Sequence, residues 1–211
     1  MRRRSKMSHF RLAALLLGPL LLLGSAVGAH APADPPGDDP SGNDPSGLPP
    51  YAEHPPLRHT GGFGEPTCHA CHFGGDVNGG EGTLSVEGLP GSVRPGHSYR
   101  ITVTLTAEMK RSGFMLSIRH PDGAQAGRLV PLDTARVAVA TPDSSAVEYA
   151  HHTLAGTSLP KPNRASWTVR WTAPPAGDSA VLHVAVNAAN DDASEFGDDV
   201  YAATAQAVVT Q

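Results

Sequence analysis

Both cysteines of this 211-residue chain lie within five residues, Cys68-His69-Ala70-Cys71-His72. Two cysteines three apart, with a histidine directly after the second, form the attachment signature of a c-type haem. On a helical turn, positions i, i+3 and i+4 share one face. Cys68 and Cys71 can then reach two vinyl groups of one porphyrin, while the His72 imidazole reaches the iron. The expected cofactor is one covalent haem c, with His72 as proximal iron ligand. Three other chemistries use the same residue types. They are a small disulfide loop, a thioredoxin-like redox pair (whose βαβ setting the sequence does not offer) and a zinc site that recruits further ligands such as His69.

The elements that must position this motif read as strands. Tyr99, Ile101, Val103 and Leu105 alternate with Arg100, Thr102, Thr104 and Thr106. Phe114, Leu116 and Ile118 alternate with Met115, Ser117 and Arg119. Trp167, Val169 and Trp171, and then Leu182, Val184 and Val186, repeat the pattern. Period two marks half-buried strands. Weaker stretches at 83–86, 127–132, 136–140, 147–151 and 200–209 bring the expected total to eight or nine. Pro90-Gly91, Pro95-Gly96, Pro121-Asp122-Gly123, Pro142-Asp143 and Pro174-Pro175 punctuate them as turns. Many short strands with no amphipathic helix between them indicate an all-β sandwich, and such sheets expose one face to water. The two tryptophans share a strand face and belong to its core.

Upstream, Arg2, Arg3, Arg4, Lys6 and Arg11 precede the apolar run Leu12–Leu23 and then small residues up to Ala29. This is the pattern of an export signal covering 1–29, and its apolar run is short for a membrane span. Residues 30–60 are dense in Pro, Gly, Asp and Ser, with the near repeat Asp39-Pro40-Ser41-Gly42 and Asp44-Pro45-Ser46-Gly47. Little there can be buried, so a disordered linker is expected. The haem-attachment segment follows at 61–82 and the sandwich at 83–211. Beyond Ala29 the chain carries 11 basic and 20 acidic residues, a net charge of −9 with histidines neutral. That excludes nucleic acid and anionic membranes as favoured partners and suits a basic redox partner. No membrane span is expected once the signal is removed. The location is periplasmic or extracellular, where covalent haem attachment takes place and where a free CxxC pair would oxidise.

Beyond the CxxCH, the order of several elements is informative. Thr60-Gly61-Gly62-Phe63-Gly64-Glu65-Pro66-Thr67 leads into the cysteines, and Leu89-Pro90, Arg94-Pro95-Gly96-His97-Ser98-Tyr99 and Gly113-Phe114 follow. Then come His152-Thr153, Trp167-Thr168-Val169-Arg170-Trp171-Thr172-Ala173-Pro174, Asn187-Ala188-Ala189-Asn190 and Gly197-Asp198. This order resembles the bacterial reelin-like (reeler) domains with an N-terminal CxxCH, of the choice-of-anchor V type. The resemblance implies an immunoglobulin-like β-sandwich on an exported protein. Such proteins commonly continue into a C-terminal anchoring segment, and no such segment precedes Gln211.

The sixth iron position decides what a haem does. Met or His there closes the iron for electron transfer, and Met raises the potential. His152 is the first candidate distal ligand, because its His-Thr dipeptide matches a position of the resembling family. A histidine there equally suits a structural hydrogen bond. Met115 is the alternative, since it points away from the Phe114 face and can lie under the haem segment. Met109, His97, His120, His151 and His183 rank lower. The acidic run Asp191, Asp192, Glu195, Asp198 and Asp199 lacks the spacing of an EF-hand and reads as a solvated loop. No catalytic constellation other than a haem is present. The functional expectation is an exported single-haem cytochrome-like electron carrier. The alternative is an extracellular binding or adhesion module for a surface or matrix partner.

Overall fold

The computed structural model describes residue 51 and residues 54–177 and 179–210. The expected signal segment and most of the expected linker lie outside the described residues. Among the described residues, ten strands form two sheets. These are β1 (Thr83–Glu87), β2 (Ser92–Val93), β3 (Ser98–Thr106), β4 (Arg111–Arg119) and β5 (Arg128–Pro131), followed by β6 (Val137–Ala140), β7 (Tyr149–His152), β8 (Arg164–Thr172), β9 (Ser179–Ala189) and β10 (Asp199–Val209). One sheet has the order β1-β3-β8-β5 and the other β2-β10-β9-β4-β7-β6. All pairings are antiparallel except the short β10–β2 pair. The expected all-β sandwich is therefore the fold. Only β2, too short to carry a periodic signal, escaped the sequence pattern.

The core lies between the sheets. Ile101, Val103 and Leu105 of β3, with Trp167, Val169 and Trp171 of β8, face Phe114, Leu116, Ile118, Leu182, Val184 and Val186. Phe114 stacks on Trp167 at 4.7 Å between ring centroids. Both indole N–H groups find carbonyls, Trp167 on Gly156 and Trp171 on Ala126, so neither buried ring strands a donor.

The outer faces differ. On the four-stranded sheet, Ser98–Thr172, Thr102–Thr168 and Thr104–Ser166 pair hydroxyls across β3 and β8. Alternation is preserved there, with Arg100 and Arg170 exposed. On the six-stranded sheet, β4 is buried on both sides: Met115 is 1% and Ser117 0% exposed. The expectation of a solvated outer face fails here because residues 54–82 lie across it. Leu57 packs with Met115, Val147 and Tyr149, and Thr60 is buried. The end of the stretch expected as linker is thus ordered, because it covers apolar surface that β4 and β7 would otherwise leave wet.

Candidate functional site

The CxxCH motif occupies one tight turn. The Thr67 hydroxyl accepts from His69 N–H at 3.2 Å and caps the 3-10 turn Cys68–Ala70. Cys71 N and His72 N both donate to the Cys68 carbonyl, at 3.1 and 3.0 Å. The second bond spans i to i−4 as in an α-helix, and so places Cys68, Cys71 and His72 on a common side. All three line one cleft, from which His69 and Ala70 are absent. His69 turns away, its Nε2 3.2 Å from the Gly75 carbonyl. Among the described residues no three His, Cys, Asp or Glu side chains converge to hold a metal by themselves.

Long-range bonds hold this segment on the sheet. Glu65 pairs with Arg119 on β4 and accepts from Tyr149, while Thr60 donates to its second oxygen at 2.7 Å. Arg119 also donates to Tyr149 at 2.7 Å and lies over the Phe63 ring. Burial pushes the Glu65 carboxyl up, but the hydrogen bonds from Tyr149, Arg119 and Thr60 outweigh it and hold the group below its ordinary value. Gly62 passes so close to His183 that a Cβ would sit 2.3 Å from its ring. Beyond the motif, Phe73 exchanges backbone bonds with the 195–197 loop, and the Asn78 side chain bonds both backbone groups of Ala202.

The cleft is partly open to solvent and encloses about 60 Å³. Pro55, Pro56, Phe114 and Met115 give it apolar walls, and His59, His152 and Asn187 complete it. The residues expected from the sequence therefore meet: Cys68, Cys71, His72, Met115 and His152 share one cleft. The lower-ranked Met109 is in the sandwich core, and His97, His120, His151 and His183 do not line it.

The Nδ1 atoms of His72 and His152 each have partners. His72 Nδ1 lies 2.7 Å from Asp198 Oδ2, a carboxylate only 2% exposed. Asp198 Oδ1 accepts Asn190 N–H at 3.0 Å, which fixes the carboxylate in turn. His152 Nδ1 stands 3.0 Å from Phe114 N and 3.2 Å from Phe114 O. Strand β7 pairs with β4 only through Met115–His151 and Leu116–Ala150, so the His152 ring takes the place of the next backbone partner. Gly113 is needed beneath it: a Cβ there would lie 2.5 Å from His152 Cε1. Burial pushes the His152 imidazole down to about 4, so it is neutral at pH 7. Desolvation pushes the Cys68 thiol up to about 12, which leaves little thiolate for disulfide-exchange chemistry.

Two positions at the site are not anticipated by the sequence pattern. Asp198 was grouped with a solvated acidic run, yet it is buried against His72 while Asp191 pairs with Arg111 and Asp192 stays at the surface. His59 was placed at the end of a linker, yet it lines the cleft. The one available hint for Asp198 was its place in the Gly-Asp step before β10. For His59 there was none.

Neither a family model nor any curated protein matches the chain. Among solved structures, it is similar to the Reelin-N domain of F-spondin, at 22% identity over 68% of this chain and 96% of that one, with a TM-score of 0.45. A human F-spondin reeler domain is similar at 22% identity over 62% and 89%, with a TM-score of 0.41. A cohesin module from a Clostridium perfringens family 33 glycoside hydrolase is similar at 11% identity over 61% and 96%, with a TM-score of 0.43. Among the described residues no helix is long and apolar enough to cross a membrane.

Proposed function

We propose that this protein is an exported, single-haem c-type electron carrier built on a β-sandwich. One observation carries the reading: the two thiols and the following imidazole of the CxxCH turn open onto a single apolar cleft, and a buried carboxylate takes the Nδ1 side of that imidazole. The residues fit a haem. Cys68 and Cys71 hold it through thioethers, each thiol adding across a vinyl group with no atom lost. His72 offers Nε2 to the iron, because Nδ1–H is donated to Asp198. A carboxylate on the outer nitrogen is the usual support for a metal-bound histidine. Bound there, haem would supply one-electron chemistry. The chain's own part is to orient His72 through Asp198 and to exclude water with Pro55, Pro56, Phe114 and Met115.

Asp198 has a second effect in this reading. Its negative charge on the imidazole stabilises the oxidised iron, so Asp198→Asn raises the reduction potential with the haem still attached. A potential unchanged in that variant removes Asp198 from the site.

The decisive test of the haem itself is intact mass and a pyridine haemochrome spectrum of protein produced with haem-maturation machinery. The expected mass is the processed polypeptide plus one haem, lost in the double variant Cys68→Ala/Cys71→Ala. A bare polypeptide mass overturns the proposal and leaves an acidic β-sandwich whose cleft serves binding.

A further inference from the structure

We infer that His59 is the second axial ligand of the iron, giving a bis-histidine site with His72. The inference rests on the haem reading above, and the hydrogen bonds of three side chains facing the same cleft carry it.

Met115 is the first to fail. Its sulfur, on a side chain 1% exposed, already accepts the His59 backbone N–H at 3.3 Å. It is packed with Leu57, Val147 and Tyr149 beneath the segment that would have to lift to free it.

His152 fails by its tautomer. Its Nδ1 lies 3.0 Å from the Phe114 N–H and 3.2 Å from the Phe114 carbonyl; the shorter contact is the N–H, and only an unprotonated Nδ1 can accept it. A neutral imidazole that accepts at Nδ1 carries its proton on Nε2. That nitrogen then has no lone pair for a metal. His152 becomes a hydrogen-bond donor at the edge of the cleft and a structural support of β4.

His59 has the opposite arrangement. Its Nδ1 lies 3.0 Å from the Leu57 carbonyl and 3.1 Å from that of Pro56. Carbonyls only accept, so Nδ1 is the protonated nitrogen and Nε2 keeps its lone pair. Among the described residues Nε2 has no hydrogen-bond partner. The arrangement is the same in kind as at His72, where Nδ1 is given to Asp198, and outer-nitrogen donation of this sort is characteristic of metal-bound histidines. The backbone is shaped for it too. Arg58, directly before His59, adopts a φ of 70°, a left-handed conformation that is uncommon for a non-glycine residue and persists only when its surroundings hold it. Here the Arg58 guanidinium is held by Ser144 Oγ at 2.7 Å, and the next residues, Leu57 and Thr60, are packed on either side.

The consequence is a closed, six-coordinate iron that passes electrons and does not bind small ligands. The test uses the haem-loaded full chain after its added mass has been verified. Without that mass the cytochrome reading itself has failed. With haem present, the oxidised protein is expected to be low-spin, and hyperfine spectroscopy after ¹⁵N-histidine labelling should show two axial imidazoles. His59→Gly should become high-spin and bind carbon monoxide rapidly when reduced, and added imidazole should restore the low-spin spectrum. His152→Gln and Met115→Leu should stay low-spin. A His59→Gly protein that remains low-spin, a wild-type signal from one imidazole only, or loss of the low-spin state in His152→Gln instead, would overturn the assignment. The labelling arm uses wild-type protein and so stands even where a variant does not fold.

Discussion

The two outer faces of this sandwich were written in the same alternating code and ended in opposite environments. On the four-stranded sheet, the residues between the core positions are Arg100, Thr102, Thr104, Ser166, Thr168 and Arg170; the two arginines are exposed, and hydroxyls pair across the strands, Thr102 with Thr168 and Thr104 with Ser166. On the six-stranded sheet, the equivalent positions are Met115, Ser117, Arg119, His183 and Asn187, and residues 54–82 cover them. The first face can be read from hydrophobic periodicity. The second needs a covering segment, and what it gains is a water-poor surface on which titratable groups act through specific bonds. The difference teaches where chemistry can be placed on such a fold: on the face where polar side chains are deprived of water.

The comparison breaks most severely at Glu65. Glu65→Ala leaves Arg119 buried without its carboxylate and should cost about 3–5 kcal/mol in chemical denaturation. The double variant Glu65→Met/Arg119→Met should recover most of that loss, since two apolar residues carry no unpaired charge. A Glu65→Ala protein as stable as wild type would mean that the segment is not held by this pair.

The next effect depends on pH. Burial holds His152 at about 4 in the folded chain against 6.5 for an ordinary histidine. Between those values the unfolded chain binds a proton that the folded chain does not. Stability from this group is therefore complete above pH 6.5 and is lost as pH falls towards 4, by about 3 kcal/mol at roughly 1.4 kcal/mol per unit. Denaturation of the haem-free Cys68→Ala/Cys71→Ala protein between pH 7 and 4 should show the slope, and His152→Gln should flatten it. An unchanged slope in that variant would assign the loss to other groups.

Gly113→Ala should cost about 1–3 kcal/mol, because its methyl claims the space of the His152 ring. The reading would be sharpened by an accompanying change in the His152 imidazole resonances. At the small end, Thr168→Ala on the open face should shift stability by no more than about 0.5 kcal/mol. Ser117→Ala, whose buried hydroxyl finds no partner, should be neutral or slightly stabilising, since it removes a desolvated polar group. A large loss at Ser117 would point to an ordered water joining it to His183 Nδ1 and Arg119 Nε, which are likewise unpartnered and buried.

Much of this molecule was legible in one dimension. The strands β3, β4, β8 and β9 follow from period-two patterning, and the Trp167 and Trp171 positions from their shared parity. The convergence of Cys68, Cys71 and His72 follows from helical spacing, since a single turn of backbone places them together whatever the rest of the chain does. Met115 under the motif was legible as well, from its place opposite the Phe114 face.

Other features had no local signature. What His152, His59 and Met115 can offer to the cleft depends on what each one's polar atom touches: the Phe114 backbone, the Pro56 and Leu57 carbonyls, or the backbone N–H of His59. Asp198 meets His72 across 126 residues of chain, and Glu65 meets Arg119 across 54. Residue type and spacing by themselves determined an all-β chain in which two thiols and an imidazole share one turn. Tertiary structure alone decided which polar groups each histidine ring meets, because those partners come from distant parts of the chain and set the tautomer.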